Sequence, residues 1–187
     1  MKSTPRILPD ADSLARTVAE LFVTLAVKAI AARGRFTVAL AGGSTPESAY
    51  GMLATSEFAA RVGWSFVHIF WGDERCVPPH HPDSNYSMAR KSLLDHVPLP
   101  VDNLHRMRGE IEPEKAALDY ERRLRSFFAR PRLDVTRTKG RKSTLSFDLV
   151  LLGMGNDGHI ASLFPGTRIL REKTRWVVAH YVETLKA

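Results

Sequence analysis

The sequence predicts an α/β fold built on a mainly parallel sheet with helices on both faces. Three observations carry that expectation. Apolar runs of strand length alternate along the chain with segments of helical spacing. The runs FTVALA (36–41), SFVHIFW (65–71) and FDLVLLG (147–153) are apolar almost throughout, as strands covered on both faces must be. Each of the three is followed by a glycine-rich or charged turn.

The elements follow in order. Residues 11–33 carry Leu14, Val18, Leu21, Phe22 and Leu25 at helical spacing, and Gly34 is a stop signal. FTVALA is the first strand. TPESAYGMLATSEFAARV (45–62) reads as a helix, SFVHIFW as a buried strand, and SNYSMARKSLLDHV (84–97) as a helix that stops before Pro98. Residues 113–130 form a further helix with Pro113 in its first turn, where a missing N–H costs nothing. FDLVLLG is the next strand, and RWVVAHYV (175–182) reads as one more. There is no internal repeat, and 187 residues suit a single domain with a substantial core.

Composition narrows the function classes. Hydrophobic residues make up 44% and charged residues 25%, the usual balance of a globular protein in water. No apolar stretch approaches the roughly 20 residues that span a bilayer, so no membrane partner is expected. The N-terminal MKSTPRILPDADSLA has no apolar region of the secretory kind. The single cysteine, Cys76, cannot form an internal disulfide, which fits a reducing, cytoplasmic compartment. Net charge is +7, and six of the thirteen residues from Arg130 to Lys142 are Lys or Arg. No aromatic residue interleaves them and no helix-turn-helix or zinc-ligand pattern occurs, so this segment reads as a solvated loop with no nucleic-acid partner.

Ligands of parallel α/β sheets bind beyond the carboxyl ends of the strands, so the three turns should converge there. In LAGGSTPES (40–48), Gly42 and Gly43 allow close approach of an anion to the backbone. Ser44 or Thr45 is expected to cap the following helix, with Glu47 completing a capping box with Ser44. Such a helix N-terminus can cradle phosphate, although neither a Walker A ending nor a dinucleotide fingerprint is present. The second turn, WGDERCVPPHHPDSNY, puts Asp73, Glu74 and Arg75 directly after a buried strand. They form either a local salt-bridge cluster or a ligand clamp in which Arg75 presents its planar fork. Cys76 reads as a packed bystander, and His80, His81 and Asp83 as a wet loop, with no metal expected. The third turn, GMGNDGHIASLFPGT (153–167), sets Asp157 two residues before His159 among three glycines.

Together AGGSTP, WGDER with its downstream SNY, and GMGNDGHIASLFPGT resemble the 6-phosphogluconolactonases, in order and over nearly the whole chain. The resemblance implies a Rossmann-like fold, hydrolysis of 6-phosphoglucono-1,5-lactone to 6-phosphogluconate in the oxidative pentose phosphate pathway, and no cofactor. Lactone hydrolysis needs an activated water, an oxyanion donor and a phosphate anchor. A histidine, unperturbed pKa about 6.5, suits the first task. On that reading His159 is the general base, and Asp157 orients it or touches the sugar. Arg75 stabilises the oxyanion, and Asp73 and Glu74 position Arg75 or the sugar hydroxyls. Gly42, Gly43, Ser44 and Thr45 hold the phosphate, with Asn85 and Gly155 in support.

The expected partner is a phosphorylated sugar lactone, and the expected state a monomer or weak dimer. The related glucosamine-6-phosphate deaminases are the alternative enzyme. They place a glutamate shortly after their DGH motif, where this chain has Ser162, Leu163, Phe164 and Pro165. A non-catalytic sugar-phosphate-binding fragment is the other alternative. Family members run on beyond the segment matching RWVVAHYV, so the 187 residues are expected to be one domain lacking its C-terminal segment, with Lys186 no substitute for a later phosphate-binding lysine.

Overall fold

The computed structural model describes residues 4–129 and 146–182, so the basic segment Arg130–Lys142 and Lys186 lie outside the described residues. Helix α1 (Ala11–Arg33) starts where the Asp10 carboxylate accepts the Ser13 N–H at 2.7 Å. It ends at Gly34, whose left-handed φ of 70° lets its N–H reach the Ile30 carbonyl. Both ends are as the sequence predicts, and of the apolar residues at helical spacing Phe22 is the fully buried one. The stripe facing the core is Ala15, Ala19, Phe22, Val23, Ala26 and Ala29, while Leu21 is exposed. Small side chains let α1 approach α2 closely, and the larger residues fill the flanks.

Strand β1 (Phe36–Leu40) leads to α2 (Ser44–Ala54) and the single turn α3 (Ser56–Ala59). The predicted helix over 45–62 therefore breaks at Thr55, which is extended and donates its hydroxyl to the Met52 carbonyl. Strand β2 (Val67–Trp71) follows a short 3₁₀ turn, and α4 (Asn85–Ser92) ends at Leu93 rather than continuing to residue 97. Helix α5 (Pro113–Ala129) begins on the expected proline. Strand β3 is reduced to Leu149–Val150, and residues 175–182, expected to be a strand, run as irregular chain.

All pairings are parallel, and the strand order is β2-β1-β3. Side chains alternate across the sheet as a period of two requires. Phe36, Val38, Leu40, Val67 and Ile69 enter the large core under α1 and α2. Ala39 and Phe70 face Tyr120, Leu124 and Phe128 of α5 on the other side. Both faces are thus covered. Among the described residues no helix is long and apolar enough to cross a membrane.

Polar groups inside this sheet have specific partners. Thr37, fully buried on β1, donates its N–H and its hydroxyl to Asp148 Oδ2, each at 2.8 Å, while Arg33 reaches Asp148 Oδ1 at 2.6 Å. That cluster ties β3 to β1 at the amino end. At the carboxyl end two tyrosines replace missing strands. Tyr50 of α2 accepts the Ala41 N–H at 3.0 Å and donates to the Ala41 carbonyl at 2.9 Å. Tyr120 of α5 serves Trp71, the last residue of β2, in the same way. Burial pushes both phenols above their ordinary range, so they remain protonated donors.

On the outer side of β2, His105 donates its backbone N–H to the Ile69 carbonyl, and its ring lies 4.3 Å from that of Phe70. His68 Nδ1 and His105 Nε2 are 3.3 Å apart. Burial lowers both imidazoles to about 4, helped by Arg35 at His68 and by His68 and Arg123 at His105.

Two outcomes are expected. Tyr50→Phe leaves the buried Ala41 N–H and carbonyl without partners and should cost about 1–3 kcal/mol in urea denaturation. The histidine pair is neutral in the folded state and titrates near 6.5 when unfolded. The unfolded chain therefore takes up protons that the folded chain refuses. Stability should be complete above about pH 6.5 and decline as pH falls toward 4. The urea midpoint measured from pH 7.5 to pH 4.5 should show this slope, and His105→Phe should flatten it.

Candidate active site

The order β2-β1-β3 places the chain reversal between β1 and β3, where an open parallel sheet forms its ligand crevice. The last β1–β3 bond joins the Leu151 N–H to the Ala39 carbonyl. Two residues further, the Ala41 groups turn to Tyr50, and the chain after β3 is free to swing away. The strand expected over 147–153 is short for this reason: a hydroxyl has taken the place of its next ladder partner.

The loop after β1 differs from expectation in its cap. Gly43 is the N-cap of α2, with φ of 102°, and neither Ser44 nor Thr45 caps the helix, since both already lie inside it. No capping box forms, because a cap without a side chain offers nothing to the first-turn amides. The N–H groups of Ser44 and Thr45 meet no acceptor among the described residues, and both side chains are exposed. This is an uncapped positive helix end open to an anion. Gly42 is required by sterics: a β-carbon there would collide with the Asn85 side chain.

The loop after β2 is organised by Glu74. Its carboxylate accepts the backbone N–H groups of Arg75, Asn85 and Tyr86 at 2.8–2.9 Å and the Ser84 hydroxyl at 3.2 Å. Burial raises its pKa while those four donors pull it back. Glu74 therefore holds the Arg75 backbone, not its guanidinium, and anchors the start of α4. Asn85 donates to the Asp73 carbonyl at 3.0 Å and more weakly to Asp73 Oδ1 at 3.4 Å. It is buried and central, more than the supporting role expected of it. The Arg75 side chain is exposed and makes no hydrogen bond or ion pair among the described residues, so no local salt-bridge cluster forms. Gly109 packs against the carbonyls of Arg75 and Val77, where a β-carbon would not fit. Cys76 is exposed rather than packed as expected, and partial desolvation of its thiol with the charges of Glu74 and Glu112 pushes its pKa up. His81 Nδ1 accepts the Asp83 N–H, a local turn; among the described residues no group of three or more His, Cys, Asp or Glu could hold a metal ion.

The loop after β3 folds on itself. Gly155 donates to the His159 carbonyl and Gly158 to the Gly155 carbonyl, each at 2.9 Å. Asp157 Oδ1 lies 2.5 Å from His159 Nδ1 and also accepts the His159 N–H. These bonds from His159 hold the Asp157 carboxyl below its usual range. An ionised carboxylate can only accept, so Nδ1 is the donor, and in the neutral imidazole the lone pair is on Nε2. Gly155 sits beneath the pair, since a β-carbon would run into both the imidazole and the Asp157 carboxylate. Phe164 stacks on the imidazole at 4.3 Å.

The structure thus links Gly42, Asn85, Asp73 and Glu74 into one cluster and Gly155, Asp157 and His159 into another. Ser162 joins the two by donating its hydroxyl to Asp73 Oδ2 at 2.8 Å. Sequence reasoning missed Ser162, Phe164, Tyr50, Tyr120 and Gly109. Only the proximity of Ser162 and Phe164 to His159 offered a signal. A cavity of about 440 Å³ lies beside Asp73, Glu74, Arg75 and Ser162 and extends toward α5, and its walls do not include His159 or residues 42–45.

Known proteins resemble the chain along nearly all of its length. The family model described as glucosamine-6-phosphate isomerases/6-phosphogluconolactonase matches residues 9–186. A 6-phosphogluconolactonase from Nostoc sp. is 42% identical over 178 residues, which span 95% of this chain and 69% of the relative. A probable chloroplastic 6-phosphogluconolactonase from Oryza sativa subsp. indica is 41% identical over 88% of this chain, which spans about half of that relative's length, 49%. The solved 6-phosphogluconolactonase of Trypanosoma brucei superposes with a TM-score of 0.78 at 30% identity, covering 100% of this chain and 73% of that one.

The steric reading of the glycines is testable. Gly155→Ala should displace the imidazole from Asp157, and Gly42→Ala should eject the Asn85 side chain from its place beside Asp73. In an assay of the lactone hydrolysis proposed below, each is expected to lower turnover by about 10²-fold, the order of loss that a 1 Å misplacement produces. The exposed Gly51, with open space around it, should accept alanine without effect.

Proposed function

The chain belongs to the glucosamine-6-phosphate isomerase/6-phosphogluconolactonase family, and from that premise we propose that it hydrolyses 6-phospho-D-glucono-1,5-lactone to 6-phospho-D-gluconate. The observation that supports this most is the His159–Asp157 pair on a glycine turn beyond the carboxyl end of the sheet. Asp157 fixes the tautomer, so the Nε2 lone pair is the base.

In the proposed reaction His159 Nε2 takes a proton from water, and the water oxygen bonds to the lactone carbonyl carbon. The carbonyl oxygen gains negative charge, which the Arg75 guanidinium stabilises with paired N–H donors. Collapse of the tetrahedral intermediate breaks the bond between that carbon and the ring oxygen, and the imidazolium returns its proton to the departing oxygen. The imidazolium is steadied by the ionised Asp157 during the cycle. The product is an open-chain carboxylic acid, which gives its proton to solvent and leaves as the carboxylate.

The phosphate is placed at the uncapped start of α2, where the Ser44 and Thr45 amides and hydroxyls and the Gly43 backbone face outward. Binding energy there holds the remote reacting carbon in place and so raises kcat as well as affinity. Asp73 is available to the sugar hydroxyls only through the oxygen lone pairs not used by Ser162 and Asn85. We place this chemistry in a reducing, cytoplasmic compartment and assign it to a monomer or weak dimer with no cofactor.

His159→Asn should retain the fold and lose roughly 10²–10⁴ in turnover, measured by trapping enzymatically generated lactone or by 6-phosphogluconate formation. Gluconolactone without the phosphate should be a poor substrate, with part of the deficit in kcat. A His159→Asn variant with undiminished turnover, or equal efficiency on both lactones, would refute the corresponding assignment.

A further inference from the structure

We propose that Ser162 is a positioning residue that sets the distance between the base-bearing loop and the loop carrying Arg75, acting through Asp73. The inference rests on the hydrolytic reading of His159 and goes beyond it by assigning a residue that neither the motif logic nor the reaction required.

Residues 160–163 form a tight turn closed by the Leu163 N–H on the Ile160 carbonyl at 2.9 Å and the Ile160 N–H on the Leu163 carbonyl at 3.4 Å. Ala161, inside it, has φ of 53°, the one non-glycine residue with positive φ among the described residues. A residue with a β-carbon in that region is strained and persists when surrounding contacts demand it. The contact on view is the Ser162 hydroxyl, which this turn delivers to Asp73 Oδ2. Two residues later the same turn lays Phe164 over the His159 imidazole.

The bond has no substitute nearby. Among the described residues, every other hydrogen bond made by residues 152–171 stays within the segment itself, apart from the Glu172 N–H on the Ile169 carbonyl at its far end. His159 is held by Asp157 and Phe164, both of its own loop. Asp73, by contrast, is tied through Asn85 to the loop after β1, since Asn85 packs where Gly42 lacks a side chain. Ser162 is therefore the polar link that registers the imidazole against the other two loops. Its removal should leave substrate affinity, supplied by the helix end at Gly43–Thr45, largely intact while the attacking water and the guanidinium lose their common geometry.

The experiment compares Ser162→Ala and Ser162→Thr in the full chain. With 6-phosphoglucono-1,5-lactone, Ser162→Ala should lower kcat about tenfold or more with KM changed less than about threefold, and Ser162→Thr, which keeps a hydroxyl, should recover most of the loss. Amide hydrogen exchange over residues 155–164 should accelerate about tenfold in Ser162→Ala, with β1 and β2 unchanged. Wild-type kcat and exchange in Ser162→Ala would overturn the proposal, and so would equal damage by alanine and threonine. A wild-type chain that hydrolyses no lactone would overturn the hydrolytic reading instead. The exchange comparison would still decide whether Ser162 holds the loop.

Discussion

Tyr50 closes the buried backbone of Ala41 with a single hydroxyl, donating to its carbonyl and accepting from its N–H. Much of the molecule follows from that exchange. A parallel sheet that ran on would pair β3 with β1 past Leu151 and leave no opening. A sheet that split without compensation would bury two unsatisfied polar groups. Tyr50 allows the split, and Tyr120 performs the matching service for Trp71 on the other edge. The carboxyl end of the sheet is thereby rigid at its rim and open between β1 and β3, which is where the three motif-bearing turns leave it.

The loops that emerge there are built to different standards. The turn after β2 is locked by Glu74, whose four donors include the first residues of α4. The turn after β1 is held by a helix start with a bare glycine cap and outward amides. The turn after β3 folds mostly on itself, with Asp157, Gly155 and Phe164 all serving His159 and Ser162 reaching out to Asp73. Rigid presentation of a base and an open, electropositive helix end are complementary demands. One requires every group to be paired, and the other requires donors to be left unpaired.

Local features were legible in the sequence because their partners are local. Gly34 ends α1, Pro113 opens α5, and Asp157 lies two residues from His159, so spacing alone brings these groups together. The helix over 45–62 was overextended because nothing in its apolar spacing reveals that Thr55 turns extended. Helical spacing of apolar residues in α1 does not by itself mark which of them reach the core, because hydrophobicity says nothing of volume. The alanine stripe wins where α2 presses close. The strand expected over 175–182 has the right residues but no neighbouring strand to complete it among the described residues.

By itself the sequence determined the fold class, the order of elements, the three glycine-rich or charged turns and the pairing of Asp157 with His159. Each of these depends on periodicity or on residues within a few positions of one another. Only the tertiary structure decided which polar groups meet across the chain. Ser162 and Asp73 are 89 residues apart, Thr37 and Asp148 111 apart, and Trp71 and Tyr120 49 apart. Those pairings depend on how the two crossovers stack around one sheet, and a hydroxyl or carboxylate carries no mark in sequence of the distant partner it will find. The roles of Ser162, Asn85 and Tyr50 were set there, by the requirement that buried polar atoms be satisfied wherever the backbone brings them.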